Sequence, residues 1–463
     1  MTLQFWGATR TVTGSKYLLE LATTRWLVDC GLFQGLKELR QRNWDPLFAA
    51  LRPIDGILLT HAHLDHSGML PRLVREGYDG PIYCTRRTHE LCKLLLPDSG
   101  RLQEEDTEIA IRRGVSRHEQ PLPLYTEADA LRALQLFRPL PFHQLQQLPD
   151  QAAFQFIPAG HIIGSAYVDV RLQHKRSGEI KILFGGDLGG YDVPILNDPE
   201  AISETDYLLV ESTYGNRLHD RGASTETLKK VIIETEQKKG RLFLPSFAVG
   251  RAQHLLYVLR ELELKKEIPV LPVYLDSPMA AGATASLLSG RDEHDIEMRA
   301  LSIKGNPLIT QKFHRVTSHR ESLQIAAARN PAIIIAGSGM ATGGRILNYF
   351  EQGIENPDNT VAFAGFQAEG TRGRAMIDGA PAIKLRGSVL QVRCRVVSID
   401  GFSAHADYRE ILRWLKNFKR PPRATFLVHG EMGAMQALKT RIETELGWPS
   451  VTMPEFKQSV PIQ

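Results

Sequence analysis

The sequence predicts an α/β protein, and two observations carry that expectation. Between about residues 209 and 380, short apolar runs alternate with segments of helical period. The runs are Tyr207-Leu208-Leu209-Val210, Arg241-Leu242-Phe243-Leu244, Ala332-Ile333-Ile334-Ile335-Ala336 and Thr360-Val361-Ala362-Phe363-Ala364, and the clearest helical segments are 225–238 and 252–263. Strands alternating with helices pack as a mostly parallel sheet covered by helices. Outside that stretch, apolar runs repeatedly end on a polar residue able to bind a metal: His61, His161, Asp187, His405 and His429. Strand ends that all deliver such groups imply one common sheet edge with a site on it.

Taken in order, residues 1–34 read as strands around the turn signal Thr13-Gly14-Ser15, with Trp26-Leu27-Val28-Asp29-Cys30-Gly31 as a buried strand. Next comes Leu58-Leu59-Thr60-His61-Ala62-His63-Leu64-Asp65-His66, an apolar strand running into a helix start. His61 and His63 flank Ala62, so both point the same way from extended backbone. Asp65 and His66 follow the turn and face a second position. Residues 87–136 read as mostly helical. Phe154-Gln155-Phe156-Ile157 leads to His161, and Ile180-Lys181-Ile182-Leu183-Phe184 leads to Asp187. After the alternating stretch, Gln391-Val392-Arg393-Cys394-Arg395-Val396-Val397-Ser398-Ile399 reads as one strand ahead of His405. A helix at 408–418 follows, then Ala424-Thr425-Phe426-Leu427-Val428 before His429, and a last helix at 435–446. The expected division is 1–208 and 381–463 flanking 209–380.

Composition narrows the function classes. The 463 residues are 43% hydrophobic and 23% charged, enough for a large core and more than one domain. A net charge of +4 permits an anionic substrate without naming one. Cys30, Cys84, Cys92 and Cys394 form no CxxC pair, which speaks against a thiolate zinc site and for a reducing compartment. The N-terminus carries no basic region followed by an apolar run, and no apolar stretch reaches membrane-span length. The expectation is a soluble cytoplasmic protein that does not act at a membrane.

Neutral imidazoles with a carboxylate suit zinc. A catalytic zinc takes about three protein ligands and keeps one position open. His61, His63 and His161 make one such set. Asp65, His66 and His429 make another, and Asp187 is the carboxylate left to bridge them. Two metals so placed make a hydroxide available as nucleophile near neutral pH and stabilise attacking and leaving oxygens.

The HxHxDH cluster with its later His, Asp and His residues resembles the metallo-β-lactamase superfamily. Glu211-Ser212-Thr213-Tyr214-Gly215, Gly401-Phe402-Ser403-Ala404-His405-Ala406-Asp407 and Leu427-Val428-His429-Gly430-Glu431 resemble its β-CASP branch, over essentially the whole chain. The likeness is strongest to stand-alone nucleases related to the endonuclease subunit of the eukaryotic pre-mRNA cleavage and polyadenylation factor. It implies an αββα sandwich with an inserted β-CASP α/β domain, two zinc ions per chain, and the ligand sets above. It also implies second-layer support from Asp29, with Asp65 counted in the catalytic set, and a general acid, His405, oriented by Glu211. A carboxylate-held imidazolium suits proton donation near pH 7. His429 resembles the RNA-acting members rather than the DNA-repair members.

Three loops in the middle stretch are candidate substrate contacts. Ser246 to Arg251 lies before a helix, where backbone N–H groups and an Arg favour phosphate. Gly337 to Gly344, with Ser338 and Gly339, is flexible enough for close approach. Gly370-Thr371-Arg372-Gly373-Arg374 adds two cations, and Ser403 is placed beside the scissile phosphate by the resemblance. None of these loops fits a P-loop or a dinucleotide fingerprint.

These features imply a zinc-dependent ribonuclease that hydrolyses phosphodiesters of single-stranded RNA in RNA processing or decay, leaving a 5′-phosphate and a 3′-hydroxyl, as a monomer or a homodimer. Related exonucleases carry a further C-terminal domain, so a chain ending at its last helix favours an endonuclease over a 5′→3′ exonuclease. A small-molecule metallo-hydrolase would not need Glu211, His405 and so large a cap. A redox diiron protein would favour a carboxylate where His63 stands, and an inactive scaffold would lack some of these positions.

Overall fold

The computed structural model describes residues 1–112, 121–174 and 178–463, and forms two compact units. The first comprises Met1–Leu218 with His405–Gln463, the second His219–Ala404. Both limits fall later than the sequence divides them, for a reason visible in strand pairing. Tyr207–Glu211 pairs in parallel with Gly178–Phe184 and Ala424–Val428, so residues beyond 208 still belong to the first unit. Arg395–Ser398 pairs in parallel with Thr360–Phe363, so residues beyond 380 still belong to the second. The single strand expected over 391–399 is two. Ser388–Gln391 forms a hairpin with Ala382–Leu385, and the chain then turns where the N–H groups of Arg393 and Cys394 both donate to the Ile354 carbonyl.

The first unit is built on two seven-stranded sheets. One runs in the order Ser459–Pro461, Thr2–Phe5, Tyr17–Glu20, Arg25–Val28, Gly56–Leu58, Ile82–Thr85, Phe137–Leu140. The other runs Val451–Thr452, Ala424–Val428, Tyr207–Glu211, Gly178–Phe184, Ala166–His174, Ala152–Pro158, Gln146–Leu148. Phe5, Tyr17, Trp26, Phe154, Phe156, Phe184 and Phe426 pack between them in one apolar layer. Opposite faces of a pleated strand alternate, so the second sheet buries its other face too. Tyr167, Leu183, Leu208 and Val210 pack there against Ile411 and Trp414 of helix Tyr408–Leu415 and Leu438 of helix Met432–Glu445. Burial on both faces explains why Tyr207–Glu211 is a continuous buried run. The first sheet is accompanied by helices Leu70–Arg75, Arg86–Arg112 and Glu127–Leu134. The result is the αββα sandwich expected. The helical stretch expected over 87–136 is thus two helices, and its residues 113–120 lie outside those described.

The second unit carries a six-stranded sheet ordered Phe313–Arg315, Val273–Asp276, Ile333–Ala336, Leu242–Pro245, Thr360–Phe363, Arg395–Ser398. Every pairing in it is parallel, as the alternating pattern predicts. Phe243, Ile334, Tyr349, Phe350, Val361 and Phe363 form its core.

All four cysteines are free and buried. Among the described residues, no helix is long and apolar enough to cross a membrane.

Trp414 is 1% exposed, packs on Tyr167 and Phe418, and donates its indole N–H to the Glu200 carbonyl at 2.9 Å. Trp414→Ala is expected to cost about 3–5 kcal/mol, read as a shifted urea midpoint of the purified protein. A shift equivalent to less than about 1 kcal/mol would contradict this packing.

Candidate metal centre

The ligand turn begins where strand Gly56–Leu58 ends. Beyond it the chain runs through Leu59 and Thr60 to His61 and His63, then turns into the short helix Leu64–Ser67 that carries Asp65 and His66. The other candidates come from neighbouring strand ends of the second sheet. His161 follows Ala152–Pro158, Asp187 follows Gly178–Phe184, and His429 follows Ala424–Val428. His405 is delivered by a bridge between its backbone and Gly189, with the Ala406 N–H donating to Leu188 O at 2.8 Å. Asp29 and His429 leave their strands at left-handed φ of 59° and 49°. Such backbone is uncommon outside glycine and concentrates at functional sites.

These side chains converge. His61 Nε2 and His161 Nε2 each lie 3.2 Å from His63 Nδ1, and Asp187 Oδ2 is 3.4 Å from His61 Nε2 and 3.5 Å from His161 Nε2. On the other side, His429 Nε2 is 3.3 Å from Asp65 Oδ2, and His66 Nε2 is 3.2 Å from Asp187 Oδ1. A tetrahedral zinc with ligands at about 2.0–2.1 Å separates its donor atoms by about 3.4 Å. The observed spacings match that edge length, and the donor atoms fall into groups able to hold a metal: His61, His63, His161 with Asp187, and Asp65, His66 with His429. Neither Asp187 oxygen has a hydrogen-bond partner among the described residues, though both are buried. A buried carboxylate faced only by imidazole nitrogens, with no hydrogen bond to either oxygen, favours a cation between them. The donor set therefore fits zinc.

In the His61, His63, His161 group charge is distributed to suit a metal. Burial pushes the His61 imidazole down to about 3 and His63 to about 4, and takes His161 well below its ordinary value. These three are neutral imidazoles, the form that ligates. Burial opposes charge on Asp65 and Asp187, but His429 and His66 outweigh it and hold both carboxyls below the usual range. Burial likewise opposes the His66 imidazolium, and Asp187 and Asp29 outweigh it.

A second layer orients the ligands. Asp29 Oδ2 lies 2.7 Å from His66 Nδ1 and accepts from the Thr60 hydroxyl at 2.9 Å, while Oδ1 accepts from the Thr60 N–H at 2.8 Å. Thr60 Oγ1 is 3.1 Å from His61 Nδ1. One carboxylate thus sets the ring orientation of a ligand in each group. Glu211 is fully buried and accepts from the Leu188 N–H at 2.8 Å and the Thr213 hydroxyl at 2.5 Å. Its two oxygens lie 3.0 and 3.1 Å from His405 Nδ1. Thr213 Oγ1 is also 3.0 Å from His429 Nδ1. Burial works against the His405 imidazolium, but Glu211 and Asp187 raise it to about 9. Sequence reasoning named Asp29, Glu211 and His405 but not Thr60 or Thr213. Thr60 directly precedes His61 and Thr213 follows Glu211 by two positions, but neither position by itself marks a role.

The candidate substrate residues lie in the second unit. The Ser246 and Gly337 loops abut, since an added Cβ on Gly339 would lie 2.8 Å from the Phe247 nitrogen. Arg251 is buried, starts helix Arg251–Leu264 and packs on Gly365 and the Phe247 ring. The Ser338 hydroxyl accepts from the N–H groups of Thr342 and Gly343 at 3.0 and 3.2 Å, so it closes its own loop. Ser246 is buried, with its hydroxyl 3.2 Å from the Phe247 carbonyl. Ser403 is fully buried at the end of the turn Asp400–Phe402.

Comparison with known proteins places this geometry. Residues 24–220 match a beta-lactamase superfamily domain, 252–376 a Beta-Casp domain, and 389–454 a Zn-dependent metallo-hydrolase RNA specificity domain. Ribonuclease TTHA0252 of Thermus thermophilus is 35% identical over 98% of this chain and 99% of its own length. The chain belongs to the β-CASP family of metallo-β-lactamase hydrolases. Other β-CASP relatives are the transcription termination factors FttA of Methanosarcina mazei and Methanocaldococcus jannaschii. Each is 32% identical, over 95% and 93% of this chain and 68% and 67% of their own lengths. The fold is shared by a crystallised Enterococcus faecalis protein of unknown function, at 14% identity, 99% coverage of both chains and a TM-score of 0.52. In this β-CASP chain the family's zinc chemistry has a buried His/Asp centre to occupy.

Asp29→Asn removes the acceptor that orients His66 and, through Thr60, His61. Metal affinity, measured by competition with a chromophoric chelator, is expected to fall about 10–100-fold. An unchanged affinity would show that this carboxylate does not tune the ligands.

Proposed function

We propose that this β-CASP hydrolase is a two-zinc ribonuclease that cleaves single-stranded RNA to leave a 5′-phosphate and a 3′-hydroxyl. The observation that carries the reading is the pair of half-buried His405 and fully buried Glu211 set against the ligand cluster, with His405 Nδ1 3.8 Å from Asp187 Oδ2. A simple metal-storage site has no use for a carboxylate-held imidazole there, whereas a hydrolase needs a proton donor for its leaving oxygen. The matched RNA specificity domain and the ribonuclease relative support RNA as the polymer.

His61, His63 and His161 would hold one zinc, Asp65, His66 and His429 the other, with Asp187 between them. When bound, the pair supplies a hydrolytic nucleophile near neutral pH and Lewis acidity at the phosphate. The chain's own residues do the rest. Glu211 fixes the His405 ring through Nδ1 and stabilises its protonated form, which gives its Nε2 proton to the departing 3′ oxygen. Glu211 is held in turn by Thr213 and Leu188, so the donor does not swing away. Thr213 ties the same carboxylate to His429, linking proton donor and metal ligand. Of the residues expected to meet the RNA strand, Ser246, Arg251, Gly339 and Ser403 are buried and the Ser338 hydroxyl closes its own loop, so they support the second unit's loops rather than offer side chains to RNA.

The decisive assay follows 5′-triphosphate, 5′-monophosphate and circular single-stranded RNAs and maps product ends. Cleavage of circular RNA identifies the endonucleolytic mode expected from sequence, and loss of circles alone as substrates identifies a 5′→3′ exonuclease. His63→Ala is expected to lower bound zinc by about one per chain and abolish cleavage, and wild-type rates from that variant would defeat the metal reading. His405→Ala is expected to keep its zinc while cleaving about 10²–10⁴-fold more slowly. A smaller loss with zinc retained would remove His405 from the proton-donor role.

A further inference from the structure

Lys16 is the one lysine buried among the described residues, at 2% exposure. It follows the turn Thr13-Gly14-Ser15 and leads into strand Tyr17–Glu20. Its Nζ donates to the Gly31 carbonyl at 2.5 Å and the Gly14 carbonyl at 3.2 Å, and lies 4.3 Å above the Phe33 ring. Burial lowers its pKa to about 8, with Cys30 opposing and Arg42 adding, so the group is still mainly an ammonium at pH 7. A buried ammonium is expensive, and a methionine would fill the same volume without that cost. The charge therefore calls for a reason beyond packing.

The reason lies in what the two carbonyls belong to. Three consecutive carbonyls of the ligand turn, those of Leu64, Asp65 and His66, are each held by an N–H from below. Leu32 donates to the first at 2.8 Å, Ser15 to the second at 2.9 Å, and Cys30 to the third at 2.7 Å. Ser15 sits next to Gly14, and Cys30 and Leu32 flank Gly31. The two segments are joined by the Gly31 N–H donating to Ser15 O at 2.9 Å, and Ser15 Oγ reaches to 3.3 Å from His66 Nε2. The approach is so close at Gly31 that an added Cβ would lie 1.6 Å from the Asp65 carbonyl oxygen. Both segments that hold the turn are thus gripped by one ammonium.

We propose that Lys16 is a positioning residue for the Asp65–His66 half of the metal centre, its ammonium stapling together the two backbone segments that fix that turn. The proposal rests on the two-zinc reading above. Without the staple, two buried carbonyls lose their donor and the segments relax. The turn then presents Asp65 and His66 less well, while the His61–His63 stretch keeps its own anchors, the Ala166 N–H on Thr60 O and the Ser67 hydroxyl on Ala62 O and His63 O, and His161 comes from a different strand.

The test measures zinc content and chelator competition on purified, zinc-loaded Lys16→Met, alone and combined with His429→Ala or His161→Ala, alongside thermal unfolding of the metal-free proteins. The expected result is one zinc bound at least tenfold more weakly and the other unchanged. Lys16→Met added to His429→Ala then costs little more, because both act on the same zinc, whereas added to His161→Ala it weakens the remaining zinc. Lys16→Gln, which keeps one donor, is expected to fall between and carries the same comparison if the methionine variant does not fold. A lower unfolding temperature of the metal-free variant with both zinc affinities at wild-type values, or equal loss of both, would overturn the role of Lys16. Wild-type protein that takes up no second zinc would overturn the two-zinc reading itself, and the proposal with it.

Discussion

Everything in the first unit serves one electrostatic constraint, the burial of Asp187. Its carboxylate is 2% exposed, and imidazole nitrogens of His66, His61, His161, His429 and His405 lie between 3.2 and 3.8 Å from its oxygens. A lone carboxylate in that position would be untenable, and the His66 and His405 imidazoliums in turn draw on it. The group is stable only as a set, and the set spans residues 61 to 429 of the chain. Two sheets packed face to face supply the rigid rim on which strand ends so far apart in sequence meet.

Around that set the polar network is layered. Asp29 and Thr60 hold rings on one side, and Glu211 and Thr213 hold rings on the other. Both carboxylates are fully buried and both accept from a threonine hydroxyl. The parallel design leaves each ring little freedom before any substrate arrives, which is the condition for a preorganised hydrolytic site. The backbone beneath is held just as firmly, with the Leu64, Asp65 and His66 carbonyls each taken by a neighbouring N–H.

How much of this could be read from the chain depended on whether the signal was local. His61 and His63 flank a single alanine, Asp65 and His66 follow a turn, and a glycine stands next to or one residue from His161 and Asp187. These patterns are short-range, and all the residues so named converge. The parallel sheet was legible for the same reason, since periodicity is local, whereas the αββα layers were expected from the family resemblance alone. The unit limits were not. The run 391–399 looks like one strand, and only pairing with Thr360–Phe363 shows that its second half belongs to the other sheet. Thr60, Thr213 and Lys16 were equally silent, because a threonine or lysine declares its role only through the partner it meets.

Residue type alone told which groups could do chemistry: the imidazoles, the carboxylates and the apolar strands that end on them. Residue type sets whether a group can ligate or donate a proton, and that does not depend on the fold. Which of them share a position, at what separation and in which charge state, came from the folded arrangement. Asp65 and Asp187 are carboxylates of the same kind, yet one faces His429 from a turn and the other sits beneath five rings. Distance and burial set those differences, and both arise from strand pairings between residues hundreds of positions apart.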